Sequence, residues 1–565
     1  MMQDPVTPLY SNIPLAQLAV AACKAYGIKR VVISPGSRNA PLTLGFSSDP
    51  FFECYSIVDE RAAAFFALGM SQQTGIPTVL VCTSGSAVLN YFPAVAEAYY
   101  SNIPLIVLSA DRPADRIDIG DGQTINQDGV FHNHVAYAAN CLEDCGPNSE
   151  NYNYFEKALD TAFEDKAPVH LNLPFSEPLY QQTSEIRVTF NGFKKSSPAE
   201  PLSISSDELK IWQEAKRIMV LVGVMAPGSF DDDLLEQLLQ DPRVIVLTET
   251  TSNLHHPKII SGIDKLIAAL NPEEFADLRP DLLISMGGMI VSKKIKAFLR
   301  DYSPNAHWHV DPLKAYDTFF VLSRHFKGSP NALFNKLLPA QGVNGDYQEI
   351  WLTERDVRRK LHDPYINSIP YSDLKVYSWI LGNLPASCQL QVANSAAIRY
   401  TQLFEMPSEV QVFCNRGTSG IDGSTSTAIG AAVVTQSQVI FVTGDLSFFY
   451  DSNALWNNYT PSNFKVVLVN NSGGGIFRIL PGDKSQDNFA TYFETVHGLN
   501  AQKLCEMYGW HYTAINTQEE LEGNLNAEFW ESPGPGLMEI FTPRLENDQI
   551  LLDYFEAVKS DDTKP

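Results

Sequence analysis

Val439-Ile440-Phe441-Val442-Thr443-Gly444-Asp445, and then Asn470-Asn471-Ser472-Gly473-Gly474 with Asn471 standing 26 residues after Asp445, decide how this 565-residue chain is read. The apolar run reads as a buried strand that brings Asp445 to its carboxyl end, where open α/β sheets place ligands. A second apolar run over 465–469 ends in the asparagine pair. One carboxylate and one amide oxygen, each at a strand end, suit a hard cation such as Mg²⁺, which takes oxygen ligands and shares them with phosphates. Glycines after Asn471 let the backbone approach a diphosphate. A plainer reading also fits, in which Asp445 caps a helix and the two asparagines make a turn.

Outward from this stretch, short apolar runs keep alternating with helical patterns. The last part of the chain predicts strands over 390–393, 410–413, 439–442, 465–469 and 537–540. The first part predicts strands over 30–34, 52–58, 78–82, 105–109 and 169–173, with helices over 15–26, 61–73 and 87–100. Between them lie predicted strands over 218–222, 244–247, 282–285 and 308–310. A polar stretch over 181–206, with Lys194-Lys195-Ser196-Ser197-Pro198, reads as a linker. Residues 341–346 and the helical pattern after them lead out of the middle part. Buried strands joined by helices predict an α/β chain of three consecutive domains with mainly parallel sheets, over 1–185, 186–345 and 346–565.

Composition narrows the function classes. Hydrophobic residues make up 44% and charged residues 19%, enough for large buried cores. A net charge of −24 without a basic stripe repels nucleic acid. No apolar run reaches the roughly 18–20 residues that span a bilayer, so no stable membrane insertion is expected. Residues 1–10 carry Asp4 and two prolines and lack the features of a signal peptide, so the expected location is cytoplasmic. The eight cysteines are scattered, Cys141 and Cys145 being the one close pair, and read as reduced thiols. The polar residues 559–565 read as a frayed tail. His132 and His134 form an HxH without a third ligand at a telling spacing. Motifs of metalloproteases, dinucleotide binders and serine hydrolases are missing.

The Gly444-Asp445 and Asn470-Asn471 pairing resembles the diphosphate-and-metal motif of thiamine-diphosphate enzymes. Those enzymes show Gly-Asp-Gly, whereas Leu446 stands third here. Asp59-Glu60-Arg61 follows an apolar run, and Glu60 matches the superfamily carboxylate that hydrogen-bonds the cofactor's aminopyrimidine ring and favours its imino tautomer. Further strings are Ser34-Pro35-Gly36-Ser37-Arg38, Thr83-Ser84-Gly85-Ser86-Ala87, Ala110-Asp111-Arg112-Pro113, Asn394-Ser395 with Arg399, and Asn415-Arg416-Gly417-Thr418-Ser419-Gly420-Ile421-Asp422-Gly423. Together, over about 15–543, they resemble the 2-succinyl-5-enolpyruvyl-6-hydroxy-3-cyclohexene-1-carboxylate synthase family, thiamine enzymes of menaquinone biosynthesis.

The resemblance implies decarboxylation of 2-oxoglutarate and conjugate addition of the remaining succinyl carbanion equivalent to isochorismate. It implies a catalytic set of Glu60, Ser37, Arg38, Arg399 and Arg416. Ser86, Ser419, Gly420 and Ile421 would contact thiamine diphosphate, Ile421 wedging beneath its two rings. Asp445, Leu446, Ser447, Asn471, Gly473 and Gly474 would hold its diphosphate end. Mg²⁺ or Mn²⁺ would bind Asp445, Asn471 and Gly473. Arg38, Arg112, Arg399 and Arg416, with Ser37, Gln123 and Ser395, would meet the substrates, since guanidinium forks bind carboxylates in bidentate fashion. Lys293 and Lys294 stand where family members carry a Lys-Arg pair, so Lys294 keeps the charge and loses the fork. Ile476, Phe477 and Leu480 would line the pocket and lower its dielectric. The implied assembly is a homodimer or homotetramer, with Glu60 of one chain facing Asp445 of another. Two other readings are an acetohydroxyacid synthase or oxo-acid decarboxylase, and a catalytically silent binding protein on the same fold.

Overall fold

The computed structural model describes residues 9–146, 148–192, 202–338, 344–480 and 482–559. The start of the N-terminal stretch (1–8), the heart of the expected linker (193–201), residues 341–343 and nearly all of the expected tail (560–565) lie outside the described residues.

Three parallel sheets follow one another along the chain. The first contains β1 (Arg30–Ile33), β2 (Glu53–Ser56), β3 (Thr78–Cys82), β4 (Leu105–Asp111), β5 (Tyr137–Asn140) and β6 (Val169–Pro174), in the order β2-β1-β3-β4-β6-β5. The middle sheet contains β7 (Ile218–Val222), β8 (Val244–Thr248), β9 (Leu282–Met286), β10 (Ala306–Val310) and β11 (Leu322–Phe326), in the order β8-β7-β9-β10-β11. The third contains β12 (Gln389–Val392), β13 (Gln411–Phe413), β14 (Val439–Gly444), β15 (Phe464–Asn470), β16 (His511–Ile515) and β17 (Gly536–Phe541), in the order β13-β12-β14-β15-β17-β16. The first and third sheets therefore share one strand order. The runs Ile-Met-Val-Leu-Val of β7 and Val-Ile-Val-Leu-Thr of β8 are buried throughout, as expected of strands covered on both faces.

Predicted strands lie within two residues of those observed. Besides the short antiparallel pair Tyr10–Ser11 and Gln182–Thr183, three strands of the parallel sheets escaped the sequence: β5, β11 and β16. Each is a sheet edge, and each mixes exposed polar positions into its run, so the apolar signal is diluted. The predicted helix over 87–100 is two helices, Ser86–Asn90 and Phe92–Ser101, because Pro93 stands in the first turn of the second, where its missing N–H costs nothing.

The first and third units are joined through the helices Glu60–Thr74 and Ser424–Val434. One apolar core runs from β1 and β3 through these helices into β12, β14 and β15. Approach is so close that a Cβ at Gly69 would collide with the Thr427 carbonyl oxygen, and one at Gly430 with the Phe66 carbonyl oxygen. The middle sheet has its own apolar cluster on each face. The 22-residue helix Tyr347–Ser368 carries the chain from the middle unit into the third.

Because backbone lies opposite each glycine, the added methyl group cannot be absorbed by a rotamer change. Gly69→Ala and Gly430→Ala should each cost about 1–3 kcal/mol, read as a lower denaturant midpoint at unchanged slope.

Candidate active site

In the third sheet β12 and β14 are neighbours, while the chain leaves β12 for β13 on the opposite side. The crevice at their carboxyl ends is a topological switch point, and the loops there carry Asn394-Ser395 and Gly444-Asp445. Asp445 is buried. One of its oxygens accepts from the Leu446 N–H at 2.6 Å, and the other accepts from the Gly473 N–H at 2.9 Å, so it ties the β14 end to the β15 end rather than serving as a plain helix cap. His497 Nε2 stands 3.2 Å from the second oxygen, and Asp445 holds the imidazole's pKa up.

Asn471 donates its amide N–H to Asp373 Oδ2 at 2.8 Å. That bond turns the amide oxygen, the better cation ligand, away from Asp373. The Asp373 carboxylate is buried and accepts from Thr542 Oγ1 at 2.6 Å, and burial raises its pKa to about 6. After Asn471 the chain makes a tight turn. Gly473 has φ of 152°, and a Cβ there would lie 2.7 Å from the Glu494 carbonyl oxygen. A Cβ on Gly475 would lie 3.0 Å from the Asn471 amide nitrogen. A carboxylate, an amide oxygen and a backbone carbonyl beside a side-chain-free turn form a cradle that fits a divalent cation and a diphosphate.

Glu494 pins this turn. Its carbonyl oxygen accepts from the Gly474 N–H at 2.6 Å, and its buried carboxylate accepts from Arg478 Nε at 2.5 Å and Arg544 at 2.8 Å. Beyond the turn opens a cleft of about 610 Å³ between the middle and third units. Lys293, Lys294, Arg399, Arg416, Arg478 and Arg544 line it, with Asp264, Asp373 and Asp548 as the acidic members. Burial, and after it the neighbouring Arg416, pull the Arg399 guanidinium below its ordinary pKa. Arg416 donates to Asn394 Oδ1 at 2.6 Å, while its Nε is buried without a hydrogen-bond partner among the described residues. Lys294 lies 4.8 Å from the centre of the Phe555 ring, a cation–π contact that a compact ammonium makes without a fork. Unsatisfied donors and crowded like charges leave the cleft suited to carboxylate ligands.

A second group gathers on the first unit. Glu60 opens its helix, yet it is Asp59 that caps it, by accepting from the Ala62 N–H at 3.2 Å. Burial raises the Glu60 pKa. Arg38 is buried, donates to the Phe175 carbonyl at 2.9 Å, and has an Nε without a partner among the described residues. Burial, then the charge of Arg112, lower its pKa. Arg112 donates to Ser84 Oγ at 2.7 Å and to the Gln123 carbonyl at 3.0 Å. Ser37, Ser86 and the Gln123 side chain are exposed.

Ser395, Ser419, Ile421, Ile476 and Leu480 line the cleft, whereas Phe477 does not and packs on Phe493 at 6.2 Å between ring centres. Ser447 donates to the Ile421 carbonyl at 2.8 Å, and the Gly420 carbonyl accepts from Asn394 at 2.7 Å, which joins these strings into one wall. Leu446 is half-buried. Gln123, Ser395, Ser419 and Ser472 hold positive φ without being glycine, a strained backbone that tends to occur at ligand sites. Among the described residues, no member of the second group, on the first unit, lines the cleft. Sequence reasoning missed Arg478, Arg544, Asp264 and Asp373. Arg478, two residues past Ile476, was within reach of the same motif, whereas the other three sit in unmarked stretches brought in by the fold.

Glu494→Gln removes a buried charge that pairs with two guanidinium groups. It should cost about 2–4 kcal/mol, read by chemical denaturation.

Two family descriptions match separate parts of the chain: "Thiamine pyrophosphate enzyme, N-terminal TPP binding domain" over residues 13–136, and "Thiamine pyrophosphate enzyme, C-terminal TPP binding domain" over residues 394–540. The first match takes in β1 to β4 of the first sheet, and the second takes in β13 to β16 and nearly all of β17 of the third, the two sheets that share a strand order. Among curated relatives, a 2-succinyl-5-enolpyruvyl-6-hydroxy-3-cyclohexene-1-carboxylate synthase of Flavobacterium johnsoniae is 52% identical over 97% of this chain and 100% of the relative. Namesakes from Christiangramia forsetii and Porphyromonas gingivalis are 50% identical, over 98% and 100%, and 37% identical, over 95% and 95%. With identity of this level over nearly the whole length, the chain belongs to the 2-succinyl-5-enolpyruvyl-6-hydroxy-3-cyclohexene-1-carboxylate synthase family of thiamine-diphosphate enzymes.

Proposed function

We propose that this chain decarboxylates 2-oxoglutarate and joins the remaining four-carbon fragment to isochorismate, releasing carbon dioxide and forming one carbon–carbon bond. The observation that carries the substrate class is the crowding of six cations into one cleft of a chain whose net charge is −24. Both substrates are dicarboxylates. Pyruvate, the substrate of an acetohydroxyacid synthase, has a single carboxylate and would leave most of these charges unanswered.

Thiamine diphosphate supplies the electron sink that makes loss of carbon dioxide possible. The chain's own residues bind, orient and move protons. Glu60, raised in pKa by burial, holds a proton against the pyrimidine ring nitrogen. Asp445, the Asn471 amide oxygen and the Gly473 carbonyl hold Mg²⁺ or Mn²⁺, while Gly474, Leu446 and Ser447 frame the diphosphate. Ser86, Ser419, Gly420, Ile421 and Phe477 complete the cofactor's surroundings. Arg399, Arg416 and Ser395, with Lys293 and Lys294, orient substrate carboxylates. Ile476 and Leu480 give the reacting end an apolar wall, which keeps water from a developing carbanion.

Ser37, Arg38, Arg112 and Gln123 act from the first unit. The third-unit cleft has no first-unit residue in its lining, so we assign them, with Glu60, to a partner chain in a homodimer or homotetramer. The units are taken as 1–185, 186–345 and 346–565. Among the described residues no helix is long and apolar enough to cross a membrane, and cytoplasmic residence belongs to this same proposal.

Isochorismate absorbance should fall only when protein, 2-oxoglutarate, thiamine diphosphate and Mg²⁺ are all present. No loss in the complete mixture, with protein shown to bind the cofactor, would sink the substrate assignment. Glu60→Gln should lower kcat by about 10²–10⁴-fold. A shared site makes a further demand: Glu60→Gln and Asp445→Ala chains, each inactive alone, should regain part of the wild-type activity when co-assembled, because one of the two sites then keeps both residues. Co-assembled protein without activity would place each site within one chain.

A further inference from the structure

The cleft's cations raise a physical problem that direct ion pairing would solve badly. A carboxylate bound to a guanidinium fixes its position but also cancels the charge that a substrate needs. Two buried carboxylates outside the assigned site take another route.

Glu249 follows β8 in the middle unit and is 4% exposed. Its two oxygens accept three bonds from backbone: from the Val291 N–H at 2.7 and 2.9 Å, and from the Ser292 N–H at 2.7 Å. Val291 lines the cleft, and the next residues are Lys293 and Lys294, which open the helix Lys293–Asp301. The Ser292 hydroxyl caps that helix through the Ile295 N–H at 3.1 Å and also donates to Asp264. Glu97 lies in the helix Phe92–Ser101 of the first unit and is 1% exposed. Its oxygens accept from the Gly417 N–H at 2.7 Å, the Thr418 N–H at 2.6 Å and the Thr418 hydroxyl at 2.8 Å. The residue before Gly417 is Arg416. Glycine is needed at 417, because a Cβ there would lie 2.6 Å from the Glu97 carbonyl oxygen. In both cases the carboxylate grips the backbone beside a cleft cation and makes no hydrogen bond to the cation itself.

We infer that Glu97 and Glu249 are positioning residues for dicarboxylate binding: each anchors the loop that carries a cleft cation, Arg416 for one and Lys293-Lys294 for the other, and leaves that cation's charge available to the substrate. Backbone N–H groups are the right handle for this task. They are fixed relative to the Cα atoms that launch the cations, and a carboxylate accepts several of them without a change in net charge at the cleft surface. The middle unit thereby takes part in substrate binding, and the first unit reaches the cleft of its own chain through Glu97.

Glu97→Gln and Glu249→Gln test this. Glutamine keeps the shape but puts an NH₂ in place of one oxygen. At Glu97, whose oxygens also accept from the Ser101 hydroxyl at 2.7 Å, one backbone N–H loses its acceptor. At Glu249 the Val291 N–H, shared between both oxygens, loses one of its two or competes with Ser292 for the one left, so each loop is held less firmly. Cofactor-loaded wild type and variants are titrated with succinate, an unreactive dicarboxylate, and KM and kcat are measured for both substrates. Both variants should bind succinate about fivefold or more weakly. KM for 2-oxoglutarate or isochorismate should rise in step, with thiamine-diphosphate affinity within about twofold of wild type. Unchanged succinate affinity and KM, even with a lowered melting temperature, would reduce the two residues to structural supports and overturn the inference. Should Glu97→Gln fail to fold, Thr418→Val removes one donor at an exposed position and must still weaken succinate binding. The inference rests on the functional reading above for the identity of the substrates. Succinate binding is read without turnover, so an inactive wild type would count against that reading alone.

Discussion

Like charges repel, and six cations share one cleft of this chain. Their mutual repulsion is the constraint that the surrounding structure answers. Desolvation, and after it the neighbouring Arg416, lower the tendency of half-buried Arg399 to hold a proton, and the cost of keeping it charged falls when carboxylates arrive. Until then the cations have to be held by groups that do not neutralise them. Asn394 accepts from Arg416, a neutral amide on a cation. The Phe555 ring faces Lys294, a quadrupole on a cation. Glu494 is the exception, since it pairs fully with Arg478 and partly with Arg544. Its service is to the glycine turn as much as to the cleft, because the same residue's carbonyl fixes Gly474.

The two sheets of identical strand order explain where chemistry can be placed. In each, the crevice between the first and third strands of the unit is the switch point. In the first, a Cβ on Gly36 would collide with the Thr83 side chain, so the loops after β1 and β3 lie against one another. Around them stand Ser37, Arg38, Ser84 and Arg112. In the third, the loops after β12 and β14 carry Ser395 and Asp445. The same architecture used twice carries a cationic rim on one unit and a buried carboxylate beside a glycine turn on the other.

Much of this was legible in the sequence. Strands β7, β8 and β9 are continuous apolar runs and could hardly be read otherwise. Asp445 and Asn471 stand at strand ends, and strand ends are visible where an apolar run stops. Edge strands β5, β11 and β16 stayed hidden, because half of their surface meets water and their residues say so. The cradle's supports stayed hidden for a different reason. Asp373 lies in the first turn of a helix 98 residues from the asparagine it orients, and no local pattern records a partner so distant. Glu97 left a trace, a single acid in the apolar run Phe92-Pro93-Ala94-Val95-Ala96-Glu97-Ala98. A charge stranded on a buried face has to be answered from elsewhere, but the sequence does not say by what.

The glycine contact between the helices Glu60–Thr74 and Ser424–Val434 has a consequence for the order in which the chain comes apart. One apolar core contains residues of both the first and the third sheet, and Val291 is nearly its whole share of the middle unit. The middle sheet keeps its clusters to itself. In thermodynamic terms the shared core should couple the first and third units into one cooperative unit interrupted by an inserted one. Slow amide hydrogen exchange would then appear in two blocks far apart in sequence, sharing one opening energy, while the block between them opens on its own. Ribosomal synthesis meets the same arrangement: the first unit emerges with half of that core missing and waits for several hundred residues before its partner helix arrives.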